Sequence, residues 1–375
     1  MCDVRSLHKV GYGSKHVRDL LLLQVVSLDQ GGARGAASRA AQEQEGFFKF
    51  EVLEAATGRF AASRILGRGG FGTVYRGRLD DGRQVAVKRL HLPTAAWQFE
   101  NEARLLSRVR HRNLVGLLGF CTRGDSEKLL VYQYVPRHSL AKVLSSSDGR
   151  AELSWPRRHA VVTGVARGLV YLHEDAPVRI IHRDIKAANV LLDDRWVPKI
   201  ADFGIARLFP EASEVYSTVK TAAVGTKRYM APEYFIHDYL STKADVYSFG
   251  VLMLEVISGS KSHTFVPPPD AESGNLLVHA WTLYKKGRSL ELLDPAAQSS
   301  ATPEQVEPHQ RPDTKRLLFM LSTNQGTLEE PTRPEFPMLQ YMLRRDYDQL
   351  HAAFHTSAST FNSPRALQAS SSGAI

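Results

Sequence analysis

Residues 65–88 constrain this 375-residue chain more than any other segment. Apolar and polar residues alternate there with a two-residue period. The run is broken by Gly67, Gly69, Gly70 and Gly72, and it turns at Asp80-Asp81-Gly82, a hairpin signal. The glycine string Gly67-Arg68-Gly69-Gly70-Phe71-Gly72-Thr73-Val74 therefore has strand-like residues on both sides. That context argues against a dinucleotide-binding fold, in which a similar string joins a strand to a helix. It predicts an antiparallel meander whose glycine turn lets backbone amides approach phosphate oxygens with no side chain in the way.

The pleat assigns faces within this meander. Val85 and Val87 share one side and Ala86 and Lys88 the other, so Lys88 points under the glycine turn, and a flat base fits between Val74 and Ala86. The next segment has helical spacing, with Glu102, Leu105, Leu106 and Val109 on one face, and Glu102 is placed to hold Lys88 extended. Two short strands follow, around 114–121 and 129–134. Beyond Pro136 the pattern becomes helical: Val161, Val165, Leu169 and Leu172 form one stripe, and residues 246–257 are apolar nearly all round, as in a buried helix. The expected fold class is α+β with two lobes, a small antiparallel β-rich lobe carrying one helix and a larger, mainly helical one.

The second lobe carries most of the chemistry-bearing residues. Ile181-His182-Arg183-Asp184-Ile185-Lys186-Ala187-Ala188-Asn189 sets a carboxylate, a cation and an amide at fixed offsets. Asp184 can orient a hydroxyl or accept its proton, Lys186 can steady a migrating phosphoryl group, and Asn189 can offer an oxygen to Mg²⁺. Asp202-Phe203-Gly204 follows a strand-like 197–200 and supplies a second carboxylate for a metal bridging two phosphates. Before Ala231-Pro232-Glu233 lie Ser213, Ser217, Thr218, Thr221 and Thr226. Arg183 next to Asp184 suits an anionic partner, so phosphorylation at Ser217, Thr218 or Thr221 is expected to order this loop.

Other classes fit poorly. Two cysteines, Cys2 and Cys121, are too few for a disulfide framework, and Cys121 reads as core. No apolar run nears the ~20 residues of a membrane-spanning helix. The start does not read as a secretory signal, and Cys2 stands where myristoylation needs glycine. The net charge of +9 is spread along the chain with no basic arm, so no nucleic-acid partner is expected.

Taken together and in this order, these elements resemble the eukaryotic protein-kinase family. Finer strings resemble plant receptor-like kinases near the cysteine-rich group: Phe99-Glu100-Asn101-Glu102, His111-Arg112-Asn113-Leu114-Val115, Leu129-Leu130-Val131-Tyr132, Gly168-Leu169-Val170-Tyr171-Leu172-His173-Glu174 and Asp245-Val246-Tyr247-Ser248-Phe249-Gly250. The resemblance implies a kinase domain over 47–340, with an N-lobe at about 60–135 and a C-lobe at about 136–340. A flexible leader (1–46) and a mostly disordered tail (341–375) flank it. It implies ATP and Mg²⁺, held by Gly67, Gly69, Gly72, Val74, Ala86 and Lys88, by gatekeeper Tyr132, by the hinge backbone of Gln133 and Val135, by Leu191 below the adenine, and by the metal ligands Asn189 and Asp202. Gln133 stands where relatives often have Glu. Leu106, His182 and Phe203 would stack as a spine, Asp245 would hold the catalytic-loop backbone, and Glu233 would pair with Arg311. Lys186 with Gly225-Thr226 resembles the serine/threonine pattern, Thr226 supporting Asp184 and Lys186.

Two departures from the pattern stand out. Arg228 replaces a glycine in Gly225-Thr226-Lys227-Arg228-Tyr229-Met230-Ala231-Pro232-Glu233. It is expected to strain the substrate-docking loop, if that glycine uses a costly conformation, or to redirect specificity toward acidic peptides. A C-lobe helix that relatives carry before Pro308 is missing, which would expose its former neighbours. The expected function is an ATP-dependent protein serine/threonine kinase in intracellular signalling, cytoplasmic or peripheral at the plasma membrane, downstream of a membrane receptor kinase. The rival is a catalytically impaired kinase-fold scaffold or truncated variant acting by binding.

Overall fold

In the computed structural model of the chain, the described residues are 46–93, 95–209, 218–262, 265–266 and 274–298, with Thr314, Lys315 and Leu321. The alternating segment forms β1 (Ile65–Gly69), β2 (Gly72–Arg78) and β3 (Gln84–Leu90), preceded by a helix α1 (Phe50–Ala56). Helix α2 (Ala96–Leu106) and strands β4 (Leu117–Arg123) and β5 (Glu127–Gln133) complete a five-stranded antiparallel sheet of order β1-β2-β3-β5-β4. Gly82 makes the β2–β3 turn at φ 86°, a left-handed value that glycine tolerates without strain.

The period-two alternation resolves into two different neighbours for the sheet. Val85, Val87, Leu129 and Val131 pack against Phe50, Leu53 and Ala56 of α1, while Leu130, Tyr132 and the partly buried Ala86 join the core under α2. The small lobe thus begins before residue 60, because the valine face needs a cover and α1 supplies it. Its entry is fixed by backbone: Phe120 N–H donates to Gly46 O at 2.8 Å and Phe48 N–H to Phe120 O at 2.9 Å. A Cβ on Gly119 would stand 2.3 Å from Gly46 O, so only glycine permits this approach. Helix α2 stops at Leu106, short of Val109, which is buried just beyond it.

The larger lobe begins with α3 (Leu140–Ser145), α4 (Ser147–Glu152) and α5 (Trp155–Val170), the last running into a π turn at Tyr171–Asp175. Short ribbons pair β6 (Ile180–Ile181) with β9 (Arg207–Leu208) and β7 (Val190–Leu192) with β8 (Pro198–Ile200). A third pairs β10 (Val219–Lys220) with β11 (Tyr239–Leu240) around α6 (Pro232–His237), and α7 (Thr242–Ser258), α8 (Leu276–Lys285) and α9 (Pro295–Gln298) follow. The predicted stripe of Val161, Val165, Leu169 and Leu172 is wholly buried in one core with Phe249 and Leu252 of α7 and Leu105 and Leu106 of α2, so a single core spans both lobes. Helix α7 starts where Ser241 Oγ accepts from Lys243 N–H and ends at Gly259 with φ 65°, a glycine stop.

Beneath that core a buried arginine ties three segments together. Arg158, 1% exposed, donates to Leu153 O at 2.8 Å, to Val256 O at 2.5 Å and to Asp294 Oδ2 at 2.6 Å. The region expected to lack a helix before Pro308, the Arg311 partner of Glu233, the leader and the tail beyond 340 lie outside the described residues. Among the described residues no helix is long and apolar enough to cross a membrane.

Candidate active site

Cross-strand register builds one wall of the cleft. Val74 faces Lys88, and Ala86 faces both Arg76 and Tyr132, so Val74, Ala86, Lys88 and Tyr132 share a face. Leu191 comes from β7 of the other lobe, partly buried against the common core. Beyond the sheet the backbone of Gln133 and Val135 crosses between lobes, with Gln133 N–H donating to Gly116 O at 2.9 Å. Of the three glycines expected to line a phosphate, Gly72 is required by the protein itself, since a Cβ there would stand 2.7 Å from Arg89 O. A Cβ on Gly67 would meet nothing within 4 Å, leaving the turn open on that side.

Lys88 Nζ sits between two carboxylates, 2.8 Å from Glu102 Oε2 and 2.7 Å from Asp202 Oδ1. Burial by itself would depress the ammonium pKa, but the charges of Glu102 and Asp202 outweigh it and hold the pKa above the ordinary lysine value. Burial pushes Asp202 the other way and is likewise outweighed by Lys88, so its carboxyl lies below the usual aspartate range. Glu102 does a second job: its Oε1 accepts from Phe203 N–H at 3.2 Å. The neighbouring Asn101 Nδ2 donates to Gly204 O at 3.1 Å and Ala206 O at 2.8 Å. Helix α2 therefore holds the Asp202-Phe203-Gly204 turn as well as Lys88.

Asp184 has both oxygens engaged. Oδ1 accepts from Thr226 Oγ1 at 2.7 Å and Thr226 N–H at 3.1 Å, and Oδ2 accepts from Lys186 Nζ at 2.6 Å and Asn189 Nδ2 at 3.0 Å. Lys186 Nζ also donates to Thr226 Oγ1 at 2.8 Å, which closes a triangle of acid, base and hydroxyl. Below it, Asp245 is fully buried and accepts from His182 N–H and Arg183 N–H, each at 2.8 Å. Arg183 has φ 67° and Asp202 φ 69°, left-handed values for non-glycine residues and a form of strain that collects at functional sites. His182 and Phe203 meet edge to face at 4.7 Å, and Phe203 shares a core with the buried Leu106.

Some of this was not anticipated from sequence. His173, buried in the turn after α5, meets Asp245 Oδ2 at 2.9 Å, and only its lone position in the string Tyr171-Leu172-His173 could have hinted at it. Asn101 belongs to the string Phe99-Glu100-Asn101-Glu102, but nothing in that string shows what its amide clamps. The expected strain at Arg228 is absent. Arg228 is exposed in a short 3₁₀ turn (Lys227–Tyr229) and has no positive φ, because the special conformation falls on Gly225, at φ 129° with a Cβ position 2.5 Å from Arg183 O. Thr218 and Thr221 are described, whereas Ser213 and Ser217 lie outside the described residues. Arg183 is already engaged, its Nε donating to Ile205 O at 2.6 Å. Cys121 is buried with no disulfide, and burial pushes its thiol up to about 12.

The donor set suits a hard cation shared with phosphates. Asn189 spends its nitrogen on Asp184, 2.9 Å from the backbone O and 3.0 Å from Oδ2, which leaves its amide oxygen for a metal alongside Asp202. Among the described residues no group of three or more His, Cys, Asp or Glu could hold a metal unaided. One amide oxygen and one carboxylate are oxygen donors of the kind Mg²⁺ takes, with water and substrate phosphates to complete its shell.

An antiparallel sheet lobe and a helical lobe meeting at this cleft form the architecture of a protein-kinase fold, and comparison with known proteins places the chain in that family. The family model for protein tyrosine and serine/threonine kinases matches residues 60–318, and the chain belongs to that family. It is 46% identical over 314 residues to cysteine-rich receptor-like protein kinase 34 of Arabidopsis thaliana, covering 80% of this chain and 46% of that protein. Cysteine-rich receptor-like protein kinase 10 of the same plant is 44% identical over 300 residues, 76% of this chain and 44% of the relative. A G-type lectin S-receptor-like serine/threonine-protein kinase of that plant is 42% identical over 305 residues, 77% and 38% respectively. The chain thus spans less than half the length of these relatives.

Proposed function

We propose that the chain transfers the γ-phosphoryl group of ATP to serine or threonine hydroxyls of proteins, in signalling of the plant receptor-like kinase type at the cytoplasmic side of the plasma membrane. The observation that carries this reading is the Asp184–Lys186–Thr226 triangle. A carboxylate held by Lys186 and Thr226 is suited to orient an alcohol, and Thr226, bonded to both, stands where the serine/threonine pattern has its threonine.

In this reading Asp184 orients the acceptor hydroxyl and takes its proton as the new O–P bond forms and the β–γ bridging bond breaks. Lys186 offsets charge on the moving group. Lys88, held extended by Glu102, binds phosphate oxygens, and the hinge backbone at Gln133 and Val135 reads the adenine edge. Bound Mg²⁺, held by Asp202 and the Asn189 oxygen, would supply charge neutralisation on the phosphates. A membrane receptor kinase is the proposed upstream partner, and phosphorylation at Ser217, Thr218 or Thr221 the proposed control. The test is intact mass before and after Mg²⁺-ATP, with Asp202→Asn as control. Phosphate gained by the natural chain alone supports the reading, and none gained by folded protein refutes it.

A further inference from the structure

His111, Arg112, Leu114 and Val115 of the string His111-Arg112-Asn113-Leu114-Val115, which the catalytic reading leaves unused, line a cavity of about 430 Å³. The cavity lies behind the 133–135 crossing. Its polar wall consists of Arg110, His111, Arg112, Lys199 and Gln133, with Leu114 and Val115 as apolar lining. Among the described residues no aspartate or glutamate lines it. Arg110 and Arg112 are exposed and make no ion pair among the described residues, and Lys199 Nζ reaches in to donate to Arg112 O at 3.0 Å.

His111 has one ring nitrogen engaged, while the other makes no hydrogen bond among the described residues. Its Nδ1 accepts from Asn113 N–H at 3.2 Å, which fixes the tautomer with the hydrogen on Nε2 as a donor, and its ring stacks on Tyr171 at 4.9 Å. Burial first, then Arg112, Lys199 and Arg167, lower its pKa, with Asp175 opposing, so the ring lies in a field of positive sign. Gln133 presents a neutral amide where a glutamate, as relatives often carry, would bring a carboxylate onto the wall. A Cβ on Gly116 would stand 3.7 Å from Gln133 Oε1, so that side chain lies along the cavity.

We infer that this cavity binds a small phosphate-bearing anion, its oxygens taken by Arg110, Arg112 and Lys199 and by the His111 Nε2–H. Three cations that make no ion pair among the described residues, gathered around a cavity open to solvent, favour a multiply charged phosphate over a singly charged carboxylate. The volume exceeds that of a bare phosphate, leaving room for an organic body against Leu114 and Val115. Occupancy would abut Gln133 from behind, the residue whose backbone faces the nucleotide cleft. The inference concerns binding alone and stands whether or not the chain transfers phosphate.

The test is calorimetric titration of the full chain with inorganic phosphate and, separately, with glucose 6-phosphate. Saturable binding is expected, weakened about tenfold or more in Arg110→Gln/Arg112→Gln and in Gln133→Glu, and unchanged in Lys88→Met, whose lesion is in the nucleotide cleft. Tighter binding of glucose 6-phosphate assigns the cavity to phosphate esters, and equal binding assigns it to free phosphate; both support the inference. Absence of saturation with either probe overturns it. So does a loss that follows Lys88→Met instead of the arginines, since the binding would then belong to the cleft. Because the arginines and Gln133 are exposed, all of these variants are expected to fold.

Discussion

Replacing Asp245 by Asn tests how the catalytic loop is held. The wild-type carboxylate accepts from two consecutive backbone N–H groups, and hydrogen bonds to a charged partner contribute about 1.5–3 kcal/mol each. Against them stands Arg183 at φ 67°, a conformation that costs about 1–3 kcal/mol. The pair of bonds wins by a small margin. Asparagine keeps one acceptor oxygen and turns an NH₂ toward the other N–H, so at least one bond is lost and the strain is no longer covered. A net loss of ~2–4 kcal/mol is expected, lowering kcat by on the order of 10²-fold if loop geometry follows. Lys88 and Glu102 are not touched, so KM for ATP should hold. The assay is the initial rate of phosphoryl transfer to a generic protein acceptor, with circular dichroism to verify folding. A folded variant with kcat unchanged would refute the reasoning. The sign with pH follows from burial being outweighed by the His173 hydrogen bond and charge, which places the folded Asp245 pKa below the ordinary value. Its contribution is full above the unfolded pKa and is lost as pH falls through the folded one, so the variant should show a shallower loss of stability below about pH 4.

Arg158→Leu leaves Asp294 buried and unpaired, and urea unfolding should show a loss of about 3–5 kcal/mol; a loss below ~1 kcal/mol would mean the clamp is dispensable. Gly225→Ala should destabilise the protein by more than ~1 kcal/mol while Arg228→Gly changes stability by no more than ~0.5 kcal/mol, and the reverse order in thermal melts would return the strain to position 228. Thr226→Ser should retain most activity toward a serine peptide, whereas Thr226→Ala should lower kcat by roughly 10-fold through the missing bond to Asp184; equal rates would sever the hydroxyl from the mechanism. Cys121, buried with its thiol pushed up to about 12, should resist iodoacetamide in native protein and react after denaturation, as read by mass spectrometry.

The two lobes and the Lys88–Glu102 wall of the cleft are legible because they rest on short-range rules, whereas Tyr132, Gln133, Val135, Leu191 and Thr226 enter only through the family resemblance. A two-residue period placed Lys88 and Ala86 on one face, and a helical period placed Glu102 on the facing edge. What sequence spacing alone did not show were contacts set by the third dimension. Nothing near residue 50 shows that Phe50 and Leu53 cover Val85 and Val87, since the pattern says only that a face is apolar, not what meets it. His173 and Asp245 are 72 positions apart and meet because α5 and α7 pack side by side. The strain expected at Arg228 was misplaced for a related reason: a glycine in a motif does not say which of its neighbours bears the positive φ, and here the burden falls three residues earlier.

Helix α1 places the edge of the folding unit ahead of the edge of the chemistry. The family match begins at residue 60, yet Val85, Val87, Leu129 and Val131 are buried in a cluster that Phe50, Leu53 and Ala56 help to close. Covering a Phe or Leu side chain contributes roughly 1.5–3 kcal/mol, a large part of a domain's net stability. A fragment cut at residue 60 would keep every catalytic group and expose an adhesive, water-facing β-surface. For this lobe the boundary that matters for solubility is upstream, at the Gly46 carbonyl that receives the Phe120 amide.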